Sequence, residues 1–260
     1  MDSCACGNAR FVSQGRNYSR PSLILEANIH SQSKRISMAK TLLITGASTG
    51  IGAATARAAA NAGWNVALLA RSEDKLNDLA AEIGDSAIAL PTDVTKRDQL
   101  TDAVNATVEK FGALDGVFAN AGTGVEHPGV ENGDPDEWHD MIHINILAVL
   151  YAAHATLPHL KKTKGHFIVT GSKAGREHFK GSIYSATKWF VHGFAGNLAE
   201  EMREWQGRCT VISPGMVDTP FFDEPKPSKI QPEDVANAVV FALNQPDTAA
   251  VREVHIMPND

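Results

Sequence analysis

From Thr41 onward, short apolar runs alternate with longer mixed stretches. Leu42-Leu43-Ile44 breaks into the glycine-rich Thr45 to Gly52 and then an alanine-rich stretch reaching Ala62. Apolar runs of four to eight residues bounded by turn residues read as buried strands, and longer periodic stretches read as helices. On this basis strands are predicted over 65–70, 86–90, 114–119, 166–170, 209–213 and 253–256. Helices are predicted over about 98–110, from Asp134-Pro135 towards Leu160, from Gly181 towards Trp205, and from Pro232 onward. Asp134 before Pro135 suits an N-cap, because its carboxylate can accept from the first free N–H groups of the helix. Strands alternating with helices predict an α/β fold: one doubly wound parallel sheet with helices on both faces. Ligands in such sheets bind beyond the carboxyl ends of the strands.

The polar and small residues gather at those ends. Thr45-Gly46-Ala47-Ser48-Thr49-Gly50-Ile51-Gly52 lies between a strand and a helix, where glycines let the backbone turn tightly and approach a pyrophosphate. With the strand at 65–70 it completes a βαβ unit of about 30 residues. Ala70-Arg71-Ser72 follows that second strand. An acid there would bind both ribose hydroxyls of NAD, whereas an arginine accommodates a 2′-phosphate, so Arg71 points to NADP over NAD. The competing reading makes Arg71 a solvated residue ahead of the helix opened by Glu73 and Asp74. Later strand ends carry Asp93-Val94, Asn120-Ala121-Gly122, Ser172 and Pro214-Gly215. Ser172 alone reads as a turn residue. Asn145, between Ile144 and Ile146, must find partners: it either bonds locally and bends its helix or orders a water.

Tyr184 and Lys188 stand four residues apart, which on a helix places a phenol and an ammonium one turn apart on one face. A cation about 4 Å away, at an effective dielectric of about 20, favours phenolate by on the order of 4 kcal/mol, or roughly 3 pKa units before desolvation. In isolation the pair reads equally as a packed ring and a solvated amine.

With 260 residues, 43% apolar and 21% charged, the chain suits one well-buried domain. A net charge of −6 argues against nucleic-acid binding and leaves small-molecule chemistry. Cys4, Cys6 and Cys209 form no CxxC, so neither a disulfide scaffold nor a zinc site is indicated, and a cytoplasmic, reducing compartment fits. No uncharged apolar run of 18 or more residues is expected, hence no membrane span. Residues 1–37 hold five basic residues against Asp2 and Glu26 with no sustained apolar period. They are expected to lie outside the fold, as disordered sequence ahead of a start at Met38 or as an organellar transit peptide. The folded domain is expected over 38–260.

Together these stretches resemble the short-chain dehydrogenase/reductase family over about Lys40 to the C-terminus. Five signals stand in the family's order: TGASTGIG at 45–52, Asn-Ala-Gly at 120–122, Asn145, Ser172 twelve residues before Tyr184, and Pro214-Gly215. The resemblance implies a Rossmann domain and an NAD(P)-dependent interconversion of a secondary alcohol and a carbonyl compound, without a metal. It implies that Tyr184 is the general acid/base, that Lys188 lowers its pKa and holds the nicotinamide ribose, that Ser172 bonds the substrate oxygen, and that Asn145 holds a relay water. It assigns Gly46, Gly50, Ile51 and Gly52 to the phosphates, Asp93 and Val94 to adenine, Asn120 and Gly122 to the ribose side, and Thr219 to the carboxamide. Ser48, Ala121, Pro214, Gly215 and Val217 complete the implied cofactor contacts.

Ala119 to Gly122, Gly133 to Pro135 and Leu157 to Leu160 look like ribitol dehydrogenases. Gly171-Ser172-Lys173-Ala174-Gly175 with Ala186-Thr187-Lys188 looks more like NADP-dependent hydroxy-acid dehydrogenases. Ribitol enzymes of this kind carry aspartate where Ala70 stands, so the two likenesses pull the cofactor in opposite directions. A small polyol, hydroxy acid or carbonyl compound is the expected substrate, and the family implies a homotetramer or homodimer. A catalytically silent dinucleotide-binding regulator would show a broken tetrad, whereas all four positions are filled. An epimerase on a related fold would need a larger C-terminal domain. Arg176, His178 and Lys180 border the expected pocket, either favouring an anionic or hydroxyl-rich substrate or simply solvated.

Overall fold

The computed structural model describes residues 39–222 and 224–259. The extension expected at residues 1–37 lies outside the described residues. Seven parallel strands form one sheet in the order β3-β2-β1-β4-β5-β6-β7. In chain order the elements are β1 (Thr41–Thr45), α1 (Gly50–Asn61), β2 (Asn65–Ala70), α2 (Glu73–Ile83), β3 (Ala87–Pro91), α3 (Arg97–Phe111) and β4 (Gly116–Ala119). There follow α4 (Pro135–Ile142), a π-helical turn (His143–Leu147), α5 (Ala148–Thr163), β5 (His166–Thr170), α6 (Ile183–Arg203), β6 (Arg208–Pro214), α7 (Pro232–Leu243) and β7 (Glu253–Ile256).

Both sheet faces are covered because the strands are apolar on both. Leu42, Ile44, Val66, Leu68, Phe118 and Ile212 pack with α1, α2 and α7. Leu43, Ala67, Leu69, Val117, Phe167 and Val211 point the other way, onto α3, α5 and α6. Such two-sided burial is what a parallel sheet requires. The chain winds outward from β1 to β3 and then crosses back to place β4 beside β1. That reversal leaves a crevice between the carboxyl ends of β1 and β4, the place where doubly wound folds bind ligands.

Several ends differ from expectation. β4 begins at Gly116, two residues late, because the Asp115 carboxylate instead accepts from the Thr41 N–H at 2.9 Å and anchors the start of β1. α6 stops at Arg203, where Trp205 and Gly207 bond back to Met202 and Gln206 takes a left-handed conformation. The Asp134 cap is present, its carboxylate accepting from Asp136 N–H at 2.8 Å. α4, the π turn and α5 run as one 29-residue helix whose mean hydropathy reaches 1.4, so one segment does meet the length and apolarity of a span. Scattered histidines and Asn145 mask in the sequence the fact that residues 141–160 lack Asp, Glu, Lys and Arg. In the fold this helix is apolar because it lies on the sheet beside α3, with Ala148, Val149, Ala152, Ala153 and Leu160 buried.

Candidate active site

A cleft of about 1370 Å³ opens along the carboxyl ends of β1 to β6. Gly46, Ser48, Gly50, Ile51, Arg71, Asp93, Val94, Asn120, Ala121, Gly122, Ser172, Tyr184, Lys188, Pro214, Gly215, Val217 and Thr219 all line it, so the fold brings together residues spread over 174 positions. Gly52 and Asn145 stand just behind the lining.

The glycine turn is shaped by close backbone approach. Gly46 and Gly50 have φ of +67° and +52°, conformations that side chains rarely adopt. A Cβ on Gly52 would sit 2.1 Å from the Gly46 carbonyl oxygen, so α1 can start this close only with glycine there. Thr219 leans over the same turn, 3.1 Å from where a Gly50 Cβ would stand. The Thr49 side chain makes no cap hydrogen bond, and no acid occupies the first turn of α1. The helix therefore presents N–H donors and its positive end to the cleft without a competing carboxylate, which fits the diphosphate of a dinucleotide.

Behind it runs a chain of threonines and amides that the sequence reading did not single out. Thr45 Oγ1 accepts from the N–H groups of Asn120 and Ala121 at 3.0 and 3.1 Å. Asn120 Oδ1 accepts from Thr170 Oγ1 at 3.1 Å, and the Thr170 carbonyl accepts from Lys188 Nζ at 2.9 Å. These bonds tie β1, β4, β5 and α6 into one frame. Each threonine ends a strand, so the signal was present in their positions, but threonine at a strand end is ordinary by composition.

Asn145 is buried in the π turn. Its amide donates to the Thr123 carbonyl at 2.9 Å and to Thr187 Oγ1 at 3.1 Å, and its Oδ1 accepts from Thr123 N–H at 2.9 Å. The wider turn, in which Ala148 N–H reaches back to the His143 carbonyl, brings the asparagine onto the loop after β4. The helix is distorted at Asn145, as one of the two fates read from sequence expected, but the bonds are not local: the partners lie in the loop after β4 and on α6.

Tyr184 and Lys188 do share one face of α6, with the ammonium 5.7 Å from the phenol ring centroid. A Cβ on Gly122 would lie 3.3 Å from Asn145 Oδ1 and 3.8 Å from Lys188 Nζ, which shows how tightly the three converge. The electrostatic balance differs from expectation. Burial pushes the Tyr184 hydroxyl up, against the opposing pull of Ser172. Burial likewise brings the Lys188 ammonium down to about 8. The phenol thus keeps its proton at neutral pH, because desolvation outweighs an ammonium whose hydrogen bond goes to the Thr170 carbonyl.

Ser172 opens a short 3₁₀ turn and accepts from Ala174 N–H at 3.0 Å. Ser185 on α6 bonds the Ala174 carbonyl at 2.7 Å, holding that turn against Tyr184. His192, also unremarked in the sequence, lies buried with Nε2 3.3 Å from the Ser172 carbonyl and Nδ1 3.2 Å from Glu253 Oε1. Asp93 closes the far end: burial pushes its carboxyl up, but bonds from Thr95, with Lys96 and Arg71 nearby, leave it below the usual range. Arg176, His178 and Lys180 do not line the cleft. Arg176 pairs with Glu253 at 2.5 Å and His178 stacks on Trp189 at 5.2 Å, so the loop turns those basic groups away and offers Phe179 instead.

The model of the short chain dehydrogenases matches residues 40–229. The chain belongs to the short-chain dehydrogenase family. An oxidoreductase of Staphylococcus saprophyticus is 39% identical over 228 residues, covering 84% of this chain and 97% of that protein. Among solved structures, an alcohol dehydrogenase of the archaeon Thermococcus sibiricus, complexed with 5-hydroxy-NADP, is 33% identical with a TM-score of 0.77, over 85% of this chain and 97% of its own. A 3-ketoacyl-(acyl-carrier-protein) reductase of Brucella melitensis, complexed with NADH, is 27% identical with a TM-score of 0.79, at the same coverage. As a short-chain dehydrogenase this protein is an oxidoreductase, and its seven-stranded parallel sheet is the fold of those relatives.

Proposed function

We propose that this short-chain dehydrogenase interconverts a secondary alcohol and a carbonyl compound, prefers NADP, and uses Ser172, Tyr184, Lys188 and Asn145. The observation that carries the reading is the half-buried phenol of Tyr184, on one helix face with Lys188 and in the same cleft as Ser172 and the glycine cradle. When bound, the dinucleotide supplies or takes the hydride.

The chain's own residues do the rest. In the reducing direction Ser172 and Tyr184 both donate to the substrate oxygen, fixing it and meeting its negative charge as that charge develops. Tyr184 then gives up its proton. Lys188, held by the Thr170 carbonyl, places a positive charge behind the phenol that stabilises the phenolate left by transfer. Asn145 holds the loop after β4 through Thr123, which keeps Gly122 beside Lys188. Gly46, Gly50, Ile51 and Gly52 would hold the diphosphate; Asn120 and Gly122 would face the ribose; Asp93 and Val94 would flank adenine; Thr219 would reach the carboxamide.

NADP preference rests on Arg71. It is exposed at the end of β2, lines the cleft, and follows Ala70 where an acid would repel a 2′-phosphate. Competing titrations of NADPH and NADH by protein fluorescence test it. The expected result is at least tenfold tighter NADPH binding, reduced about tenfold in Arg71→Ala with NADH unchanged; equal affinities in the parent would contradict it.

A further inference from the structure

Four large apolar side chains remain exposed in the same cleft as Tyr184: Phe179 at 48%, Phe221 at 47%, Met257 at 44% and Met216 at 41%. They come from separate segments, the loop before α6, the connection after β6 and the turn after β7. Their convergence is therefore a property of the fold and not of one apolar stretch. Phe221 stands closest to the chemistry, its ring centroid 5.7 Å from that of Tyr184. It also touches the loop after β4, where a Cβ on Gly124 would lie 3.1 Å from Phe221 Cζ. The connection that carries it is braced at its base, with Asp218 N–H bonded to the Ile230 carbonyl at 2.8 Å and the Asp218 carboxylate accepting from Lys226 N–H at 2.7 Å.

Two basic groups of the loop that carries Phe179 are engaged. Lys173 pairs with Glu177 at 3.5 Å and Arg176 with Glu253. A carboxylate seated beside Ser172 would have to draw Lys173 or Arg176 from its pair, and a polyol would lose water from hydroxyls that face phenyl rings and thioethers. An apolar substituent meets neither cost, and it covers surface that water otherwise contacts. The two methionines add a wall that adapts to shape.

We infer that the substrate is a neutral ketone or its alcohol bearing an aromatic or branched apolar substituent, which packs on Phe179, Phe221, Met216 and Met257 while its oxygen meets Tyr184 and Ser172. This deepens the proposed function and rests on it. The test compares acetophenone, acetoacetate and dihydroxyacetone as substrates with NADPH. The expected kcat/KM for acetophenone exceeds the other two by about tenfold or more. It falls by about tenfold in Phe221→Ala and in Phe179→Ala, the loss of a buried phenyl contact, while NADPH affinity is unchanged. Saturation-transfer NMR of acetophenone with Tyr184→Phe and NADP reads binding without turnover, and the signal should weaken in the same two alanine backgrounds. Faster turnover of acetoacetate or dihydroxyacetone overturns the inference, as does NADPH binding with no acetophenone turnover or contact. Absence of NADPH binding instead overturns the function on which it stands.

Discussion

Tyr184 illustrates how one residue's chemistry is decided by competing effects. Four-residue spacing put an ammonium on its side of the helix, and that much was legible in the sequence. What the spacing could not supply is how deeply both groups are buried, and burial reverses the sign of the phenol's shift. The same physics governs His166 in β5. Its ring is buried, one nitrogen bonded to Thr210 Oγ1 at 2.7 Å and the other without a partner, and burial lowers its pKa to about 3. Unfolded, the ring takes up its proton near 6.5. The stability tied to the neutral ring is therefore complete above pH 6.5 and is lost as pH falls towards 3, with a ceiling on the order of 5 kcal/mol. Urea midpoints measured from pH 7 to pH 4 should fall more steeply in the parent than in His166→Gln. Parallel slopes would show that His166 does not carry this dependence.

At the scale of elements, hydrophobic period located all seven strands to within two residues, because strands buried on both faces leave continuous apolar runs. The glycine turn, the strand-end clusters and the Asp134 cap were legible for the same reason: each is a local pattern with a local cause. The π turn was not. Nothing in His143-Ile144-Asn145-Ile146-Leu147 demands a wider helix; the demand comes from Thr123 and Thr187, 22 and 42 residues distant. Asn145→Ala removes three hydrogen bonds and leaves the Thr123 N–H and carbonyl unpaired. The expected cost is about 1–3 kcal/mol, a Tm lower by roughly 2–12 °C. Calorimetry checks this, and a variant melting with the parent would mean the turn is held by something else. Likewise, Arg176 and His178 looked like pocket residues only because sequence gives proximity to Ser172 without direction.

For the whole molecule, the winding of the sheet explains why distant residues meet. The reversal between β1 and β4 opens the crevice, and the Thr45-Asn120-Thr170-Lys188 chain of bonds stiffens its floor. The proposed reaction class rests on that floor, whereas the inferred substrate choice rests on the apolar rim above it, built from segments that carry no regular period. The apolar helix from Pro135 to Thr163 belongs to the same logic: its composition reflects packing on a sheet. The central claim is that this crevice transfers a proton through Tyr184. It is tested most directly by single-turnover ketone reduction with NADPH in the parent and in Tyr184→Phe, each shown to be folded and to bind NADPH. The expected result is a rate lower by about 10²- to 10⁴-fold in the variant, the span of general acid catalysis; equal rates would contradict the account.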